Sequence, residues 1–185
     1  MKAVTVKIQP SLSSDPRHVV NAAADEVKQL AKRARKHLLA NDEVSKYDHV
    51  WAVIDTDVAV RNGIWNEVVQ LAKAKKVKLA HSTPCIEFWL LLHLGYTTRA
   101  DLVDGTTSKK AVEVELGHTY STHKATAEEA MKLFLDKWPD AVRNAEKVRA
   151  HHIGAGTPEP ANPSTEIDIL VRALNDAAAK HKQRL

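Results

Sequence analysis

HVWAVIDTD, residues 49–57, constrains the fold more than any other stretch. From Val50 to Ile54 it is continuously apolar, as a strand is when both faces of a parallel sheet are covered, and it stops on two acids one residue apart. IWNEVVQLAKA follows with helical spacing, so the region reads as strand then helix. The same order appears twice more. AVTVKI at 3–8 alternates like a strand. Past the turn-rich PSLSSD, Asp15-Pro16 supplies an N-cap and a first helical position. That helix reaches about Ala40, with Val20, Val27, Leu30, Ala34 and Leu38 as its apolar stripe. VKLAHS at 77–82 is a third short strand, and Pro84 opens the strongly apolar helix CIEFWLLLHL, which ends near Gly95. Three such units predict an α/β fold built on a parallel sheet of three or four strands flanked by helices.

Beyond Gly95 β-branched runs disappear and a helical C-terminal half is expected. Thr126 with Glu129 fits a capping box, and Trp138-Pro139 marks a break. GAGTPEPANPS, 154–164, is a loop, after which Pro163 can begin a last helix with Ile167, Leu170, Val171 and Leu174 on one face. A length of 185 residues, 44% apolar, suits one core, so a single domain over 1–185 is expected: a sheet core in 1–95 and a helical extension in 96–185. Cys85, the one cysteine, excludes an internal disulfide and a cysteine-built zinc site and suits a reducing compartment. MKAVTVKIQP has no signal-like apolar stretch, and no run of about eighteen apolar residues occurs. The expectation is a soluble cytoplasmic protein without a membrane partner. A net charge of +4 permits a polyanionic partner without requiring one.

Residues i and i+2 of a strand point to the same side, so Asp55 and Asp57 would aim both carboxylates at one spot if the strand runs that far. Such a spot suits magnesium, which binds through one or two carboxylates and keeps waters. The competing reading is that Asp57 caps a helix starting near Arg61 while Asp55 bonds to a loop amide. Glu87 and His93 sit in the most apolar helix, where an unpaired carboxylate is costly to desolvate. A cation, an arginine or the first-turn amides would compensate Glu87. His93, about 240° further round, cannot share one metal with it by helical geometry alone. It reads either as a satisfied core histidine or as a catalytic base, and Cys85 as packing. Lys28, Lys32, Arg35 and Lys36 on the first helix, and Lys73, Lys75 and Lys76 on the next, can track a phosphate backbone or simply form solvated faces. Tyr120, His123 and Lys124 in a polar loop can approach nucleic acid by stacking and charge, whereas His151 and His152 read as surface residues.

Taken together, VWAVIDTD, HSTPCIEFWLLLHL and NPSTEIDILVRAL resemble the RloB family. Its pattern is an apolar strand ending in DxD, then Ser-Asn-Pro-Cys-Phe-Glu-Leu-Trp-Leu-Leu-x-His, and late in the chain Asn-Pro-Ser-Thr. The resemblance covers residues from about 4 to about 176 and implies a Toprim-like, Rossmann-like α/β domain. In that group acidic side chains bind magnesium to cleave or rejoin phosphodiester bonds, and members occur in bacterial defence loci, including abortive infection of phage. Asp55 and Asp57 match the metal-binding acids. Ser82, Pro84, Cys85, Glu87, Trp89 and His93 match the second motif, and Asn162, Pro163, Ser164 and Thr165 the third. Thr83 stands where the family usually has asparagine, and Ile86 where it has phenylalanine.

Family members also open with a strand carrying Glu-Gly, whose glutamate is the expected general base or further ligand. This chain begins after it, so either that strand has been lost ahead of Met1 or the protein is a reduced member that binds without cleaving. Glu87 is the candidate for the missing acid. The resemblance thus implies a Mg²⁺- or Mn²⁺-dependent nuclease acting on DNA or RNA. The alternatives are a non-catalytic module working with a defence-locus ATPase, and a domain that forms a homo-oligomer through an open sheet edge.

Overall fold

β1 (Trp51–Asp55) and β2 (Lys78–Thr83) lie side by side in parallel, Trp51 opposite Lys78 and Asp55 opposite Ser82. The computed structural model describes residues 6–11, 13–38, 49–119, 131–132 and 134–182. It adds β3 (Ser164–Thr165) on the far side of β2, antiparallel, with Thr165 opposite Ser82 and Ser164 opposite Thr83. The order is β1-β2-β3. The expected all-parallel sheet is therefore corrected: one pair is parallel and the other antiparallel. A strand of two residues carries no readable alternation, which is why β3 left no trace in the sequence pattern. In AVTVKI, residues 3–5 lie outside the described residues, and 6–8 form no strand.

Two layers of helix cover the sheet. On one face Ala52 and Ile54 of β1 pack with α1 (Pro16–Leu38), α2 (Asp57–Arg61) and α3 (Trp65–Lys75) through Val20, Ala24, Ala59, Trp65 and Val68. The pleat sends Val53, Asp55, Ala80 and Ser82 to the other face, where α4 (Ile86–Leu94) lies on β2. α5 (Gly105–Leu116) and α6 (Trp138–Ala155) enclose α4 from its outer sides. Every residue from Phe88 to His93 is consequently buried, as a helix so strongly apolar on all sides requires. Each large apolar side chain so buried contributes roughly 1.5–3 kcal/mol. β1 is less well covered on this face, and Val53 is 51% exposed.

α1 starts as the Asp15-Pro16 pair implies. Asp15 Oδ1 accepts from the Arg17 amide at 2.8 Å, and the Arg17 guanidinium bonds the same carboxylate, holding it down at about 2. Of the expected stripe, Val20 is fully buried and Val27 exposed, while the side chains of Leu30, Ala34 and Leu38 lie outside the described residues. Trp138-Pro139 proves to be the start of α6, since proline fits the first turn of a helix. The last helix, α7 (Ile167–Lys182), begins after β3, later than Pro163. Among the described residues no helix is long and apolar enough to cross a membrane.

Candidate functional site

The backbone bonding of β1 to its neighbour outlasts the strand. The Thr56 amide donates to Ser82 O at 3.0 Å and the Asp57 amide to Pro84 O at 3.1 Å. Thr56 Oγ1 donates to Thr83 Oγ1 at 2.9 Å, both side chains buried. With φ −88° and ψ −12°, Thr56 has already turned into the helical region, so Asp57 is the first residue of α2. The two acids are not i and i+2 of one strand. Helix α2 nevertheless starts beside the strand end, and both acids line one open cleft of about 760 Å³ together with Cys85, Glu87, Lys109 and Lys110.

Asp55 caps a helix, though not its own neighbour: its Oδ1 accepts from the Ile86 amide at 2.8 Å. Cys85, at the N-cap of α4, makes no side-chain cap, so a carboxylate from the adjacent strand satisfies that first-turn amide. Asp57 Oδ1 accepts from the next amide, Val58, at 2.7 Å, where a negative charge suits the start of α2. Burial pushes the Asp55 carboxyl up to about 6; the charges of Glu87 and Asp57 push the same way, against the Ile86 amide. Asp55 therefore feels both neighbouring acids, and a cation beside it would relieve the repulsion.

Glu87 is not enclosed among apolar side chains as its helix suggests. It is half-buried in the first turn of α4 and opens onto the cleft. His93 is elsewhere. Its ring is 7% exposed, in contact with Trp89 and Phe134, and its Nδ1 lies 2.9 Å from Trp89 O. Burial lowers its pKa, favouring a neutral core imidazole, and it is absent from the cleft lining. Burial and the neighbouring Glu87 push the Cys85 thiol up to about 12, so it packs and does not act as a nucleophile.

The donors suit a hard cation of the magnesium kind. Among the described residues no three His, Cys, Asp or Glu side chains converge on a single chelating point. Magnesium requires less, because one or two carboxylates and several waters complete its shell. Asp55 spends one oxygen on the Ile86 amide and keeps the other.

Pro-Ser-Thr closes the sheet at the same end. Ser82 Oγ donates to Thr165 Oγ1 at 2.7 Å, Thr165 Oγ1 bonds His81 O at 3.2 Å, and the Ile167 amide donates to Thr165 Oγ1 at 3.2 Å, capping α7. Behind it Arg149 donates to both oxygens of the fully buried Asp168, at 2.6 and 2.7 Å, and to Thr165 O at 2.8 Å. His152 is buried, not on the surface as its sequence context suggests, with Nε2 2.9 Å from Pro163 O. His81 Nδ1 lies 3.2 Å from Glu166 Oε2, and this neighbour holds the Glu166 carboxyl below its ordinary value. The row Asp55, Ser82, Thr165 across the three strands thus brings all three sequence motifs to one end of the sheet.

Of the other expected residues, Trp89 and Pro84 are buried and Asn162 is exposed. Lys32, Arg35 and Lys36 are exposed on α1 and do not line the cleft. Tyr120, His123, Lys124, Thr126 and Glu129 lie outside the described residues. Sequence reasoning passed over Lys109, Lys110, Arg149 and Asp168. Asp104-Gly-Thr-Thr107, a capping box ahead of Lys109-Lys110, is the one signal that would have drawn attention to α5.

Comparison with protein families matches residues 2–174 to the RloB-like protein family. No curated protein and no solved structure gives a significant match.

Proposed function

Because the chain belongs to the RloB-like protein family, we propose that it is a Toprim-like, metal-dependent nuclease or related phosphoryl-transfer protein acting on DNA or RNA in bacterial phage defence. The observation that carries the reading is the meeting of Asp55, Asp57 and Glu87 on one cleft at the carboxyl end of β1. Open α/β sheets gather ligands at that end of their strands. Magnesium or manganese held there supplies charge neutralisation at phosphoryl oxygens and a more acidic bound water. Asp55 and Asp57 are the ligands in this reading, and Glu87 the further acid that orients or deprotonates the attacking water. The protein then works in the cytoplasm, with nucleic acid as its substrate and a defence-locus ATPase as its partner.

Calorimetric titration with Mn²⁺, paired with a nuclease assay on DNA and RNA, tests this. Saturable uptake and metal-stimulated degradation are expected, both lost in the Asp55→Ala, Asp57→Ala double variant; cleavage surviving both substitutions discards the mechanism. The engagement of Asp55 Oδ1 by α4 favours a second reading, a binding module without turnover. Salt-sensitive nucleic-acid binding with no metal-dependent product is its signature.

A further inference from the structure

α5 forms one wall of the cleft. Thr106, Lys109, Lys110 and Glu113, at i, i+3, i+4 and i+7, make a single stripe facing the cleft, while Ser108, Ala111 and Val112 are buried against the core. Asp55, Asp57 and Glu87 line the same cleft from the end of β1, the start of α2 and the first turn of α4. The helix start offers no site of its own, since Asp104 Oδ1 accepts from the Thr107 amide at 2.8 Å and Thr107 Oγ1 lies 3.1 Å from the Asp104 amide. What distinguishes this wall is two adjacent, exposed lysines that share an open cleft with the carboxylates of Asp55, Asp57 and Glu87.

We propose that Lys109 and Lys110 clamp the phosphate backbone of a nucleic acid strand laid along the cleft, positioning it against the acidic wall. The inference rests on the metal-dependent reading above. Carboxylates alone repel a phosphodiester, and a divalent ion among them offsets that repulsion at one phosphate only. A strand continuing past that point meets α5, where flexible ammonium groups contact phosphate oxygens without selecting a base. Lys109 and Lys110, rather than the α1 cluster of Lys32, Arg35 and Lys36, then set the substrate class as a phosphodiester polymer. They are positioning residues.

The test is fluorescence polarisation of labelled DNA and RNA oligonucleotides with the full chain in Ca²⁺, across a salt series, beside Mn²⁺ calorimetry. For Lys109→Ala, Lys110→Ala, binding should weaken about tenfold and the salt slope should fall by roughly one to two. Both exposed positions are compatible with alanine in a helix, so folding is retained. An unchanged slope overturns the proposal, as does a slope lost instead in the Lys32→Ala, Arg35→Ala, Lys36→Ala variant, or a wild type that binds neither oligonucleotide. A flat Mn²⁺ trace beside a reduced slope supports the clamp and sinks the metal reading alone.

Discussion

Asp55 at the end of β1 accepts a hydrogen bond at 2.8 Å from the amide of Ile86, 31 residues away, so one carboxylate both caps α4 and faces the cleft. The two duties separate by substitution. Asp55→Asn keeps an acceptor for the Ile86 amide and removes the charge; Asp55→Ala removes both. Alanine should cost about 1 kcal/mol of stability and lower Tm by roughly 2–4 °C, while asparagine leaves Tm at or above wild type near neutral pH. Mn²⁺ uptake should be lost in both. Thermal melts giving equal losses for the two variants would refute the cap.

The same group sets a pH dependence. Folded Asp55 releases its proton at about 6, the unfolded chain near 3.8. Between these values the folded state holds more protons, so this residue makes stability fall as pH rises through the window. Glu166 acts the other way: its carboxyl is lowered below 4.5, so its contribution is present above that pH and is lost as pH falls through the folded value. Subtracting urea-unfolding curves of Asp55→Asn from wild type isolates the Asp55 part. The difference should grow from pH 4 to pH 6 and shrink when Mn²⁺ is added.

Half-buried Arg149 forms a bidentate pair with the fully buried Asp168. Arg149→Met leaves the fully buried carboxylate with only the Arg172 guanidinium, 4.0 Å away, and should cost roughly 3 kcal/mol, read as a lower urea midpoint. Arg149→Met with Asp168→Leu should recover most of that loss, because no uncompensated charge remains. A double variant no more stable than the single one contradicts this account.

His93 contributes packing against Trp89 and Phe134. Its replacement by alanine leaves a cavity worth roughly 2–5 kcal/mol, whereas phenylalanine fills the space and should leave Mn²⁺ affinity and any cleavage intact. Activity abolished in a folded His93→Phe protein would return this histidine to the chemistry.

Thr165→Val removes the acceptor of the Ser82 hydroxyl and the bond to the Ile167 amide together. Two buried polar groups then lack partners, a loss of roughly 2–4 kcal/mol, against about 1 kcal/mol for Ser82→Ala. Hydrogen exchange should show the first turn of α7 opening faster in the valine variant only.

The sequence was most legible where periodicity is long. The apolar run to Asp55, the Asp15-Pro16 start and the strongly apolar helix after Pro84 each fall within two residues of the observed element. That the two acids lie close together was legible, but the reason they share a cleft was not: the strand stops at Asp55, and a helix start beside it carries Asp57. Spacing also said nothing of β3, of the Arg149–Asp168 pair 19 residues apart, or of Lys109 and Lys110. These depend on which elements become neighbours in space, and a helical stripe of mixed charge looks the same whether it faces water or a cleft.

The bond between Ser82 and Thr165 spans 83 residues and ties the middle of the sheet to a segment synthesised long after β2. A nascent polypeptide still lacking Pro-Ser-Thr has an unzipped edge on β2 and has not yet reached α7. Maturation of the acidic end therefore waits for Thr165, and such distant closure makes for slow folding. A truncated or prematurely terminated product would accordingly carry Asp55, Asp57 and Glu87 on an unfinished platform.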